Sequence, residues 1–150
     1  MGVDATASSL FPLAYAVVDA ENDTNWLWFL QHLRKVLQTH QNSMLRNDPG
    51  SLVFLSDRQK GLLEGVSELF PGSPHAYCLR HLQENFHKKF KNSDKKHELS
   101  HLLWNAARAN TEADFKKCLQ DMKAINSESV DWLLQTANPE HWADLYFKRR

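Results

Sequence analysis

Hydrophobic residues fall along this chain in two rhythms. Continuous apolar runs, Leu10 to Val18 and Leu52 to Leu55, read as buried strands. The first ends in Asp19, and Pro12 belongs at an early or edge position because proline cannot donate to a ladder. The second delivers Ser56 and Asp57 to the end of its strand. Between them Trp26, Phe29, Leu30, Leu33 and Leu37 form one helical stripe, capped by Thr24 or Asn25, with Trp28 off the stripe. After Asp57 the helical spacing returns at Leu62, Leu63, Val66, Leu69 and Phe70, until Pro71 and Gly72 stop it. His75 to Leu79 is a second strand-like piece that runs into Cys78 and His81. Strand, acid, helix, strand is a parallel α/β unit, and Asp57 falls at the carboxyl end of a strand, where such sheets collect ligands.

Beyond His81 the rhythm is helical throughout. Leu82, Phe86 and Phe90 lie four apart, and Leu99, Leu102, Leu103 and Ala106 make a second face. Thr111 with Asp114 resembles a capping box for a helix carrying Phe115, Leu119, Met122 and Ile125. Val130 to Leu134 is a short apolar helix, and Asn138-Pro139-Glu140 is a start signal for a last helix bearing Trp142, Tyr146 and Phe147. That helix has reached only its third turn at Arg150, which leads us to expect that the natural protein continues.

Composition narrows the classes. With 150 residues the chain is one domain with a real core, and 42% hydrophobic residues make disorder the wrong default. The formal net charge is zero, which argues against a uniformly basic nucleic-acid module. The zero hides an asymmetry: Lys plus Arg number 5 against 8 acids over residues 1 to 75, and 13 against 10 over residues 76 to 150. Two cysteines, Cys78 and Cys118, make no disulfide framework and fit a reducing compartment. No apolar run approaches the roughly 20 residues of a membrane span, and no signal-peptide pattern opens the chain, so a soluble, intracellular protein without membrane contact is expected.

Four groups of residues could carry chemistry. Asp57 is placed to be a functional acid; equally, it could cap the following helix or pair with Arg58 or Lys60. Two-metal phosphoryl chemistry needs several carboxylates converging on ions about 4 Å apart, and Asp57 is one. Cys78-x2-His81, with His75 three residues earlier, is half of a zinc pattern whose completion would require His87 or Cys118; the plainer reading is a structural Cys beside a hydrogen-bonded His. Lys88, Lys89, Lys91, Lys95 and Lys96 could line a phosphate backbone or form a solvated face, and no aromatics for base stacking are interleaved with them. Asp19, Glu21, Asp23 and Asn25 have the alternate spacing of a calcium loop, but Thr24 and Leu30 stand where it needs Gly and Glu, so a solvated acidic turn is expected.

Three blocks, FPLAYAVVDAENDTNWLWFLQHL, VFLSDRQKGLLEGVSELFPGSPHAYCLRHLQENF and LLWNAARANTEADFKKCLQDMKAINSESVDWLLQTANPEHWADLYF, together resemble the catalytic core of Mutator-like (MULE) transposases, particularly those of plants. The resemblance runs over nearly the whole chain. It implies an α/β fold: an incomplete RNase H-like sheet over residues 1–83, then an all-helical insertion of the same domain over residues 84–150. It also implies an Asp-Asp-Glu triad that uses divalent metal, Mg2+ or Mn2+, to cut transposon ends and transfer the 3′ hydroxyl to target DNA. On this resemblance Asp57 corresponds to the second catalytic aspartate and a metal ligand, and Cys78 with His81 to the CxxH motif, structural or accessory in role. The first aspartate lies upstream of the segment that Asp4 occupies, and the glutamate downstream of the PEHWA block; Glu21, Glu84 and Glu140 do not take its place. The expectation is therefore a fragment of a nuclear DNA transposase, inactive and without stably bound metal by itself, with DNA and a second copy of the chain as partners. The rival expectations are a domesticated DNA-binding or transcription-regulatory module, and a decayed product whose bared sheet edge invites aggregation.

Overall fold

The computed structural model describes residues 11–39 and 52–147. The first helix, α1 (Asp23–Thr39), starts where the side-chain oxygen of Asn22 accepts the Asn25 N–H at 2.8 Å, so Asn22 and not Thr24 or Asn25 caps it. Strand β1 (Phe54–Ser56) follows, then helix α2 (Lys60–Leu69), capped by Gln59, whose Oε1 accepts the Leu62 N–H at 2.8 Å. The expected Pro71-Gly72 stop is in place, with Gly72 at φ 86°, a left-handed conformation that only glycine adopts freely. Strand β2 (His75–Tyr77) lies parallel to β1 in the register Phe54 to His75, Leu55 to Ala76 and Ser56 to Tyr77. It is shorter than the predicted His75 to Leu79, because Cys78 already serves as the cap of the next helix.

Helices α3 (Leu79–Lys89), α4 (Lys96–Ala107), α5 (Glu112–Ile125) and α6 (Ser127–Thr136) then pack on one another, and a 3-10 turn at Pro139–His141 closes the chain back onto β2. The predicted Thr111 cap is formed, its Oγ1 accepting the Asp114 N–H at 3.1 Å. The described part of the fold is thus mixed α/β, mostly helical, with a two-stranded parallel sheet.

Two hydrophobic cores result. Leu30, Val66, Leu69 and Phe70 form the smaller, between α1, α2 and β1. The larger is built on Leu82, Phe86, Leu99, Leu103, Met122 and Leu133 of the helical layer. Helices α1 and α2 approach closely because Gly61 and Gly65 face α1: a Cβ at Gly61 would stand 2.4 Å from the Asp23 Cα, and one at Gly65 2.7 Å from the Leu30 Cδ1. The tryptophans are largely packing residues as expected, with Trp142 buried and Trp132 against Phe86 and Phe90, while Trp28 is exposed.

Two of the predicted elements do not form. Leu10 lies outside the described residues, and residues 11–18 form no strand and are exposed on both faces. A doubly buried strand needs neighbours on its edges and layers above and below, and the two described strands pair only with each other. The last predicted helix is one 3-10 turn. Its Asn138 cap forms, but Trp142 Nε1 donates to the Ala137 carbonyl at 3.0 Å and Asp144 N to the Ala107 carbonyl at 2.8 Å, which draws the chain into the core in place of a helix.

Gly61→Ala tests the α1–α2 approach. An alanine in an ordinary helix gains about 0.5–1 kcal/mol over glycine; here, with a backbone atom in the way, we expect a loss of about 1–3 kcal/mol in urea unfolding. His75 gives a pH signature. Burial, and then the neighbouring charge of His141, hold its imidazole below its ordinary value. The unfolded chain therefore takes up a proton that the native protein refuses, so this contribution is absent above pH of about 6.5 and stability falls as the pH drops below it. Unfolding midpoints measured across that range should show the loss, and His75→Asn should flatten it.

Candidate functional site

The turn after β1 shapes the site. Asp57 is half-buried, and its Oδ1 accepts the Gln59 N–H at 3.1 Å, so it does carry part of the expected capping role, while Gln59 caps α2 itself. Neither expected ion pair forms: Lys60 reaches Glu64 at 3.7 Å, and Arg58 donates from Nη1 to the Thr136 carbonyl at 2.5 Å, tying this turn to the end of α6. Behind Asp57, the Ser56 hydroxyl donates to the Asp57 carbonyl at 2.7 Å and meets His75 Nε2 at 2.7 Å, which fixes the strand end from the sheet side.

Helix α3 supplies the opposite wall. His81, Glu84, Asn85 and Lys88 stand at i, i+3, i+4 and i+7, one face of the helix, and with Asp57, Arg58 and Gln59 they line an open polar depression of about 410 Å3. Glu84 is engaged by Arg80 at 3.3 Å, whereas Lys88 has no ion pair among the described residues. The depression thus holds two carboxylates, a guanidinium, an ammonium without an ion pair among the described residues, an imidazole and amide groups. Such a set suits a phosphate with an accompanying hard cation better than an apolar ligand.

The structure divides the predicted groups. It brings Asp57, His81 and Lys88 together. Cys78 lines a different depression, with Leu55, Ala76, Trp104 and Arg108. His75 is turned to Ser56, and among the described residues no three His, Cys, Asp or Glu side chains are grouped to hold a metal ion. Lys89 ends α3, Lys91 lies in the following turn, Lys95 pairs with Glu98 at 3.6 Å and Lys96 opens α4, so these four lie outside the Asp57 depression. In the acidic turn, Asp19 accepts from Asn25 Nδ2 at 2.8 Å and Glu21 from Trp26 Nε1 at 3.3 Å, a self-satisfied N-terminal lead into α1.

Sequence reasoning missed Arg58, Gln59 and Asn85, and it set Glu84 aside. The 81, 84, 85, 88 spacing was the available signal, but only the fold of α3 against the β1 turn gives that face a partner. An HxxxH spacing, His97 to His101 on α4, was also overlooked; the His87 ring lies 6.2 Å from that of His97, and His87 Nε2 meets the Ser100 hydroxyl.

The family model described as the MULE transposase domain matches residues 1–85. The chain belongs to the MULE transposase domain family. The match takes in Asp57, Cys78, His81 and Glu84 and stops at Asn85, short of Lys88. No curated protein and no solved structure matches the chain significantly. Membership in the MULE family gives the chain a transposase-related function. No helix among the described residues is long and apolar enough to cross a membrane.

The two roles of Asp57 can be separated. Asp57→Asn keeps an oxygen for the Gln59 N–H, so thermal unfolding should move by less than about 0.5 kcal/mol, while Asp57→Ala should cost about 1 kcal/mol.

Proposed function

We propose that this MULE domain engages the phosphate backbone of DNA at the Asp57 depression, as part of a nuclear, plant-type DNA transposase with an RNase H-like core. The observation that carries the reading is the meeting of Asp57, His81 and Lys88 in one polar depression at the carboxyl end of β1. Lys88 neutralises a backbone phosphate, and Arg58 and Asn85 bound its path; Lys89, Lys91 and Lys96 extend the same charge along the end of α3 and the start of α4. One oxygen of Asp57 is occupied by the Gln59 N–H, leaving the other for a ligand. This donor set fits Mg2+ or Mn2+, which accept one or two carboxylates and complete their shell with water and phosphate oxygens. When bound, the ion supplies charge neutralisation at the phosphate, with Asp57 as its protein ligand.

With two carboxylates in the depression, Asp57 and the Arg80-paired Glu84, residues 52–88 hold DNA and fall short of the several converging carboxylates of a two-metal cleavage centre. This favours the regulatory or binding-module reading for the chain in isolation, with strand cleavage and transfer as the activity of the complete transposase.

Fluorescence anisotropy with a labelled duplex tests this. Binding should be sequence-tolerant and should weaken steeply between about 50 and 200 mM salt, and Lys88→Ala should lower the salt slope by about one. Asp57→Asn should abolish the gain in affinity that Mg2+ or Mn2+ brings while leaving metal-free binding intact. Absence of salt-sensitive binding, or a Lys88→Ala protein identical to the parent, refutes the reading.

A further inference from the structure

One face of the small sheet leads to Asp57. In the parallel register Phe54 stands beside His75 and Ser56 beside Tyr77, so these four side chains, at alternate positions of the two strands, share a face. The His75 imidazole is packed there against two rings: Phe54 meets it edge-on with centroids 6.2 Å apart, and Tyr77 at 5.9 Å and 82°. Phe54 is itself backed by Phe70 of the smaller core, at 4.7 Å. His141 Nδ1 donates to the His75 carbonyl at 2.8 Å, so the backbone of His75 is held as well as its ring.

The proton count then orders the contacts. A serine hydroxyl carries one proton, and that of Ser56 goes to the Asp57 carbonyl at 2.7 Å. The oxygen is left to accept, so its contact with His75 Nε2 at 2.7 Å is a donation from an Nε2–H. Neutral His75 is therefore the Nε2–H tautomer, and a continuous path runs from the imidazole through the Ser56 hydroxyl to the Asp57 carbonyl. That carbonyl shares its peptide plane with the Arg58 N–H, and both residues line the depression. Asp57 is thus gripped at two points, at its carbonyl from the sheet side and at Oδ1 by the Gln59 N–H at 3.1 Å, which together aim the remaining carboxylate oxygen.

We propose that His75 and Ser56 are positioning residues for Asp57: their hydrogen-bond relay holds the peptide after β1 in the orientation that lets Asp57 take a divalent metal ion. The proposal rests on the reading of Asp57 as the ligand of Mg2+ or Mn2+ at a DNA phosphate, and adds which residues give that ligand its direction. Neither Ser56 nor His75 lines the depression, so what they contribute reaches the ion only through Asp57. The need for a relay is geometric. Mg2+ demands a near-ideal octahedral shell, and Asp57 follows a strand of only 3 residues, which by itself fixes the aim of a carboxylate poorly. Partners that orient a metal ligand are worth roughly 10–100-fold in metal affinity.

Two measurements on the full chain test it. The first uses neither DNA nor metal. The Gln59 amide, bonded to Asp57 Oδ1, should exchange with solvent several-fold faster in Ser56→Ala and His75→Phe than in the parent. In His75→Gln, whose side-chain amide puts an N–H where the Nε2–H stood, it should exchange at the parent's rate. The second is a Mn2+ titration of binding to a labelled duplex, with each variant read against its own metal-free baseline. Ser56→Ala and His75→Phe should raise the Mn2+ concentration at half-effect roughly tenfold, and His75→Gln should return it to within about twofold of the parent. A role in packing alone predicts the opposite order, because phenylalanine keeps the ring between Phe54 and Tyr77 and glutamine does not. A His75→Phe protein that behaves better than His75→Gln therefore overturns the proposal, as do parental exchange and parental Mn2+ response in both Ser56→Ala and His75→Phe. A parent whose DNA binding gains nothing from Mn2+ overturns the metal reading and this proposal together, whereas a gain that persists unchanged in every variant overturns this proposal alone.

Discussion

His141 joins the two halves of this protein. Its Nδ1 donates to the His75 carbonyl at 2.8 Å, and its ring lies on Tyr77 with centroids 4.4 Å apart and planes 15° from parallel. The hydrogen bond fixes the tautomer, and the stack fixes the ring, so the turn at Pro139–His141 is locked to β2. The smaller core under α1 and α2 and the larger helical core are otherwise separate clusters. Arg58 makes the second tie, from the turn after β1 to the Thr136 carbonyl. These contacts add to the packing of Tyr77 and Leu79 against the larger core in setting the helical layer on the sheet.

That position is what makes a site. Asp57 is set by β1 and by its own hydrogen bond to Gln59, whereas Lys88 and His81 are set by packing of Leu82 and Phe86 into the helical core. The two walls belong to different cores, and they face each other because α3 begins directly after β2 while β2 pairs with β1. A parallel pair leaves both strand ends on the same side of the sheet, so the acid after β1 and the helix after β2 are neighbours by construction. The site therefore combines a carboxylate and an ammonium that are 31 positions apart in the chain.

The two ends of the CxxH motif take different places in the fold. Cys78 and His81 are close in sequence, but Cys78 is the extended cap residue of α3 and His81 lies a turn in, so they line different depressions. The lysine run is split in the same way: its members follow a helix end, a turn and a new helix, and only Lys88 lies on the face that meets Asp57.

Local rules read directly from the residues account for much of this chain. The α2 helix and its Pro71-Gly72 stop, the Thr111 and Asn138 caps, the parallel β1–α2–β2 unit and the placing of Asp57 at a strand end all follow from hydrophobic period and capping chemistry. Those signals act over a few residues, so they survive whatever the rest of the chain does. The apolar run at residues 11–18 and the last helix went otherwise, because strand pairing and helix propagation there depend on partners distant in sequence. No described strand reaches the first, and the Ala107 and Ala137 carbonyls capture the second. By itself the sequence determined which elements form and what Asp57 could be. Only the tertiary structure decided which side chains share a depression with it, since that depends on how two cores dock, and no local period encodes the angle of a helix against a sheet.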